Sequence, residues 1–386
     1  MSLTPITTTK DLQTFCLSAA KADFVTVDTE FLREKTYYPK LCLVQMALPG
    51  GPEVMVDTLV DDLDLGPMKE LFQNTNVVKV FHAPRQDLEI FVELFDQVPT
   101  PLFDTQVAAM VLGYGDQIGY QALVQQICNV TLDKANQFTD WSRRPLRDDQ
   151  LSYALSDVTY LRDIYGALLK ELEDKGRTHW SAEEMAVLND IETHRANPQE
   201  VWQRVKIRTD KSKALAVLRA LAAWREEEAM RKDRPRNFIL RDEVIADIAL
   251  RTPKSHERLA ETRGLPESYK KGGCGKEILR LIKETLETPS EGWPRKDKKR
   301  QVPPEKQGEL ELLRMLLRIC AAEHQVVARL IAPSDDLEDF VLSNDRSNHK
   351  LTTGWRYDVF GQKALRLIDG ELALTLRHGD ITFFEV

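Results

Sequence analysis

The stretch Phe24-Val25-Thr26-Val27-Asp28-Thr29-Glu30-Phe31 limits what this chain can become more than any other. Apolar and β-branched residues lead into two carboxylates spaced i, i+2, which predicts a strand ending in acid. Successive strand side chains point to opposite faces, so Asp28 and Glu30 project side by side. Two like charges that close repel unless a cation lies between them or one keeps its proton. The expectation is a divalent-metal site whose other ligands come from elsewhere in the chain.

Downstream, Leu41–Leu48 and Glu53–Asp57 predict two more strands, separated by the turn signal Pro49-Gly50-Gly51-Pro52, which suggests an antiparallel meander. A helix near Gly66–Phe72 and a fourth strand at Val77–Phe81 follow. Pro84 marks a helix start and places Asp87 in its first turn, beside the end of that strand. Such an acid is ordinarily a helix-start residue, held ionised by the helix dipole. Phe103-Asp104-Thr105 predicts another helix opening, with Asp104 as N-cap. Gly113–Gly119 predicts a loop, Tyr120–Cys128 a helix, and Trp141–Leu146 a loop presenting a tryptophan and two arginines. A long amphipathic helix over about Asp148–Leu172 puts Tyr153 and Asp157 on one face, four residues apart. Acids therefore fall on a strand, a helix start and a helix face, with a tyrosine one turn before the last.

The chain has 386 residues, room for about two to three domains. No secretory signal and no membrane-length apolar run is read in it, and five scattered cysteines argue for a reducing cytoplasm rather than a disulfide framework or zinc site. The net charge of −8 is uneven. Residues 1–205 carry 18 Lys+Arg against 31 Asp+Glu, residues 206–301 carry 25 against 16, and residues 302–386 carry 10 against 14. An acidic lobe followed by a basic one suits a metal-dependent nuclease, although surface charge also differs between domains by chance.

These residues resemble the three motifs of the DEDD superfamily of 3′→5′ exonucleases: Val27–Phe31, Lys79 through Asp87, and Tyr153–Asp157. One branch has a histidine five residues before the last aspartate, where this chain has Ser152; the other has a tyrosine four before it, here Tyr153. With the Trp141–Leu146 loop and the domains downstream, the resemblance narrows to the ribonuclease D family and spans essentially the whole chain. It implies an RNase H-like mixed sheet flanked by helices, cutting RNA 3′ ends with two divalent ions, Mg²⁺ or Mn²⁺. Asp28, Glu30 and Asp157 would hold one ion, Asp28 and Asp87 the second, and Tyr153 would orient the attacking water. Oxygen ligands suit such hard cations, and two ions can clamp the attacking and leaving oxygens of an in-line displacement. Transfer RNA precursors are the family's substrate class, and a monomer is expected. Phe31, Gln45 and His82 are candidate substrate contacts; Phe31 competes with a core position on the other strand face, and His82 with a hydrogen-bonded structural role. The family often has small residues where this chain has Pro84-Arg85-Gln86.

Residues 1–180 are read as the exonuclease domain, followed by a helical connector at 181–207 anchored by Trp180 and Trp202. A helical unit at 208–290, opened by Ala214–Arg225, resembles the helicase-and-RNase-D C-terminal (HRDC) domain, which implies nucleic-acid binding. Arg231, Lys232, Arg234 and Arg236 are its candidate phosphate contacts, against a merely solvated basic turn. A basic, proline-rich linker at 291–304 leads to a second HRDC-like unit at 305–386 whose tail, Leu372–Leu376 and Ile381–Glu385, predicts a β-hairpin. A DNA exonuclease on the same fold, or an RNA-binding scaffold with an inactive nuclease lobe, are the competing functions.

Overall fold

The computed structural model describes residues 4–133, 139–296 and 301–386. Lys298, Lys299 and Arg300 of the basic linker lie outside them. Five strands form one sheet: β1 (Phe24–Leu32), β2 (Lys40–Ala47), β3 (Glu53–Asp57), β4 (Val78–Phe81) and β5 (Leu102–Asp104), in the order β3-β2-β1-β4-β5. The meander β1-β2-β3 is antiparallel, while β4 and β5 run parallel to β1. β5 departs from the sequence expectation, which had only a helix start there. Asp104 does cap helix α4, but it also ends a three-residue strand.

Eight helices carry the exonuclease half and its exit: α1 (Thr9–Ala19), α2 (Gly66–Gln73), α3 (Arg85–Phe95), α4 (Thr105–Leu112), α5 (Tyr120–Cys128), α6 (Asp148–Asp174), α7 (Thr178–Met185) and α8 (Ser212–Lys232). Val25 and Val27 of β1 pack with Phe15, Phe72 and Phe91 of α1, α2 and α3 on one face of the sheet. The opposite face takes α6. Leu151 and Ala154 meet Cys42, Leu43 and Met55 there, and the Thr26 hydroxyl donates to the Val158 carbonyl at 2.9 Å. That bond seats the middle of α6 on the strand that carries Asp28.

The connector is less regular than expected. After α7 come three short 3₁₀ turns, and the last of them, Val201–Arg204, feeds Trp202, Val205 and Ile207 into the core of the next unit. That unit is helical: α8 is followed by α9 (Arg236–Ile239), α10 (Asp242–Arg251), α11 (His256–Ala260), α12 (Glu267–Lys271) and α13 (Gly273–Glu287). The C-terminal segment contributes α14 (Gln307–His324), α15 (Ala328–Ile331) and α16 (Ser334–Leu342), then a helical stretch over 354–368 and the hairpin β6 (Leu372–Arg377) with β7 (Asp380–Glu385).

This last segment has no core separate from the nuclease. Leu310, Leu313 and Leu316 of α14 share one buried cluster with Val111, Leu168 and Leu172, and Trp355 stacks on Trp180 with centroids 4.8 Å apart. Gly113 shows how close the approach is. Its backbone takes φ +85°, and a Cβ there would lie 2.4 Å from the Gln325 carbonyl oxygen.

Candidate active site

β1 outruns β4, because the parallel pairing ends at Thr26↔Val80. The acid-bearing end of β1 therefore projects past its neighbour, and α3, starting just after β4, brings its first turn up beside it. Asp28, Glu30 and Asp157 converge, each able to offer a carboxylate oxygen with all three oxygens within 4.8 Å of one another. All three keep partial solvent access. Asp87 is buried on α3 and stands outside this trio, where its carboxylate accepts a hydrogen bond from the Thr29 hydroxyl. Thr29 points to the strand face opposite Asp28 and Glu30, so Asp87 reaches the site from the edge of β1 rather than from beneath α6.

The cost of gathering these acids is visible in their protonation. Burial, then the nearby Asp157 and Asp87 charges, pushes Glu30 up to about 9 and raises Asp28 well above the carboxylate range. Burial likewise takes Asp87 and Asp157 to about 7, offset at Asp157 by a hydrogen bond with Tyr153. No basic side chain enters the balance at any of the four. Oxygen donors that crowd together with no positive partner fit a hard divalent cation, which would supply the missing charge. The Tyr153 phenol is itself raised by burial and by the Asp157, Glu30 and Asp28 charges, so it stays protonated and can donate.

A cleft of about 390 Å³ opens beside the acids, lined by Asp28, His82, Gly119, Tyr120, Tyr153 and Asp157 among others. The 3′-5′ exonuclease family model matches residues 3–173 and the HRDC domain model residues 214–282. Ribonuclease D of Jannaschia sp. is 44% identical over 384 residues, 99% of both chains. Ribonuclease D of Nitrobacter hamburgensis is 45% identical over 380 residues, 98% of this chain and 99% of its own. The chain belongs to the ribonuclease D family. The Escherichia coli RNase D structure, described as an exoribonuclease involved in structured RNA processing, superposes with a TM-score of 0.81 at 28% identity, covering 96% of this chain and 99% of its own.

In this ribonuclease D family chain the candidate substrate contacts separate. Phe31 packs, half-buried, against the core on the α1–α3 side, the face that strand alternation gives it opposite Asp28 and Glu30. His82 lines the cleft, but Nδ1 lies 2.9 Å from the Thr105 hydroxyl and Nε2 donates to the Ile118 carbonyl at 3.1 Å. Burial lowers it to about 4, which keeps the ring neutral and braces the loop before α3. Gln45 stands opposite Asp28 in the β1–β2 register, fully buried, with neither amide atom hydrogen-bonded.

The Trp141–Leu146 loop does not present its tryptophan. Trp141 is buried against Tyr153, with ring centroids 6.2 Å apart, and Arg144 ties the loop to Asp57 at 2.6 and 2.7 Å and to the Cys42 carbonyl at 2.9 Å. A tryptophan in a polar loop read as exposed only because its partners are remote in sequence. The sequence reading missed Tyr120 at the site altogether, and it saw Asp104 only as a helix cap. Tyr120 lines the cleft and is raised by burial and by the Asp157 and Asp28 charges, while its hydroxyl donates to the Ser156 carbonyl at 2.8 Å. Asp104 accepts from the Ala83 and Gln106 amides at 2.9 and 2.8 Å, holding the left-handed Ala83 turn that aims α3 at the site.

Of the basic candidates, Arg231 and Lys232 both pair with Glu228, at 2.9 and 2.7 Å, and Arg236 pairs with the buried Glu226. Among the described residues, Arg234 makes no ion pair. No helix is long and apolar enough to cross a membrane among the described residues.

Proposed function

We propose that this chain is a 3′→5′ exoribonuclease that trims RNA 3′ ends, tRNA precursors among them, by two-ion hydrolysis that releases nucleoside 5′-monophosphates. The observation that carries the reading is the meeting of Asp28, Glu30 and Asp157 within 4.8 Å, beside a cleft that also exposes Tyr153. Asp28, Glu30 and Asp157 would hold one Mg²⁺ or Mn²⁺, and Asp28 together with Asp87, whose carboxylate accepts from the Thr29 hydroxyl, would hold a second. When bound, the ions neutralise charge that develops on the phosphate oxygens. The chain does the rest. Tyr153, protonated and hydrogen-bonded with Asp157, orients the attacking water, and Trp141 behind it fixes the ring. The cleft between Tyr120 and Tyr153 receives the terminal nucleotide, with His82 forming its wall rather than an acid–base group.

The test is a 3′-labelled single-stranded RNA incubated with the full chain and Mn²⁺, alongside the same reaction in EDTA and with Asp28→Ala. Stepwise loss of 5′-monophosphates that stops in both controls is expected. Equal degradation in all three reactions sinks the reading. An all-deoxy competitor added in excess separates RNA from DNA selectivity, which depends on 2′-hydroxyl contacts.

A further inference from the structure

The exonuclease and HRDC domains meet across a small polar junction, and the space around that junction is lined by arginine. Tyr37, just past β1, donates its hydroxyl to Glu226 of α8, and Arg236 closes on the same carboxylate. The Tyr37 and Tyr38 amides both donate to Asp233 at 3.0 Å. Two adjoining cavities of about 300 and 380 Å³ flank this latch and share Arg33, Tyr37, Arg204 and Arg236 in their walls. The first also takes in Arg85 and Arg195, against the carboxylates Glu89 and Glu93.

Most of these arginines are occupied. Arg33 pairs with Glu89 at 2.6 Å, Arg195 with Asp96 and Glu192, and Arg236 with Glu226. Arg85 and Arg204 are exposed and pair with no described carboxylate. They face one cavity from two different domains' sides, one from the first turn of α3 and the other from the 3₁₀ turn that leads into the HRDC core. Arg85 is two residues before Asp87, and Arg33 lies three residues past Glu30, about 10 Å along an extended chain. The cleft therefore runs along the elements that carry the acids, the first turn of α3 and the end of β1, and leads away between the domains; it shares no lining residue with the cleft of Asp28, Tyr153 and Asp157.

Resting on the exonuclease reading, we propose that this interdomain cleft is a phosphate track for the single-stranded RNA just 5′ of the terminal nucleotide, with Arg85 and Arg204 as its principal contacts. Guanidinium groups suit phosphate oxygens, which they can meet with two donors at once. The acid site needs the RNA end delivered against its own negative charge, and a cationic wall beside it supplies that. The junction's short polar latch leaves Arg85 and Arg204 solvent-accessible.

The test compares the full chain with Arg85→Gln/Arg204→Gln. In EDTA, binding of a fluorescein-labelled twelve-nucleotide oligo(A) RNA is followed by anisotropy across a salt series; with Mn²⁺, hydrolysis of that RNA and of a trinucleotide too short to fill the cleft is measured. The double variant binds the longer RNA roughly tenfold more weakly, and its plot of log affinity against log salt is shallower by about 0.7 for each lost contact. Its trinucleotide hydrolysis stays at the wild-type rate. Glu93→Gln, which removes a negative charge from the same wall, moves affinity the other way. Unchanged affinity and slope in the double variant overturn the proposal, as does an equal loss on both substrates or an unchanged affinity in Glu93→Gln. A wild-type chain that hydrolyses neither RNA instead defeats the exonuclease reading, and the binding series still decides the cleft.

Discussion

The exonuclease domain makes two junctions with the rest of the chain, and they are built from opposite materials. Against the C-terminal segment it shares one large apolar core, where Leu168, Leu172 and Trp180 meet Leu310, Leu313 and Trp355, edged by the Arg356–Glu184 ion pair. Against the HRDC domain it has one small cluster of Tyr37, Ala229 and Ile239, and the polar latch of Tyr37, Asp233, Glu226 and Arg236. Apolar area removed from water is non-directional and additive, so the first junction behaves as part of one folding unit. The second gains little from burial and depends on a few directional bonds. The proposed phosphate track would use that asymmetry: the supporting side is sealed, and the side lined by arginine is left wet. The acidic C-terminal segment, with 14 Asp+Glu against 10 Lys+Arg, packs onto the nuclease as structure.

If the contrast is real, the largest effect comes from the sealed side. Trp355→Ala removes a buried ring from the stack on Trp180 and costs about 3–5 kcal/mol, lowering the stability of the exonuclease domain too when unfolding is followed by urea titration. Loss confined to the C-terminal segment, with the nuclease unfolding as in wild type, would break the claim of a shared core. Glu226→Ala strands Arg236 and the Tyr37 hydroxyl and costs about 2 kcal/mol, but here hydrogen exchange should quicken only at the HRDC junction, near Tyr37 and α9. Tyr37→Phe removes one hydrogen bond from the same latch and costs about 1 kcal/mol, read from the same exchange.

One further effect depends on pH. His82 titrates near 4 in the fold and near 6.5 when unfolded, so it is neutral in both states at pH 7. As pH falls through 6.5 the unfolded chain takes up a proton that the folded chain refuses, and stability drops between there and about 4. Urea titrations at pH 7 and 5 should show a smaller drop for His82→Gln than for wild type; an equal drop would remove His82 from the brace of the α3 loop.

The local signals survive into the structure because they are written in adjacent residues. The alternating run from Phe24 names β1, Pro84 announces α3, and the spacing of Leu151, Val158, Leu161 and Leu168 announces α6. The three acids of the cluster were legible for the same reason, each sitting at a recognisable point on its element. What escaped depends on partners far away. β5 is three residues long and exists only because β4 offers it an edge. Trp141 looked exposed until Tyr153 covered it, and Tyr120 looked like any first-turn aromatic until α5 turned it toward Asp157. Arg231 and Lys232, read as phosphate contacts or a solvated basic turn, both pair with Glu228, three and four residues earlier on α8. That last case was readable at i, i+3 and i, i+4 spacing. Arg204, by contrast, stands out only once the connector folds against the cleft.

The central claim is that Asp28, Glu30 and Asp157 assemble to hold divalent metal for the cleavage of RNA. Isothermal titration of Mn²⁺ into the full chain and into Asp157→Asn, with trimming of a 3′-labelled RNA measured on the same samples, tests it most directly. The account predicts two binding events with proton release in the wild-type chain, loss of the tighter one in Asp157→Asn, and loss of trimming with it. Identical titrations for the two proteins, or trimming that persists in Asp157→Asn, would contradict it.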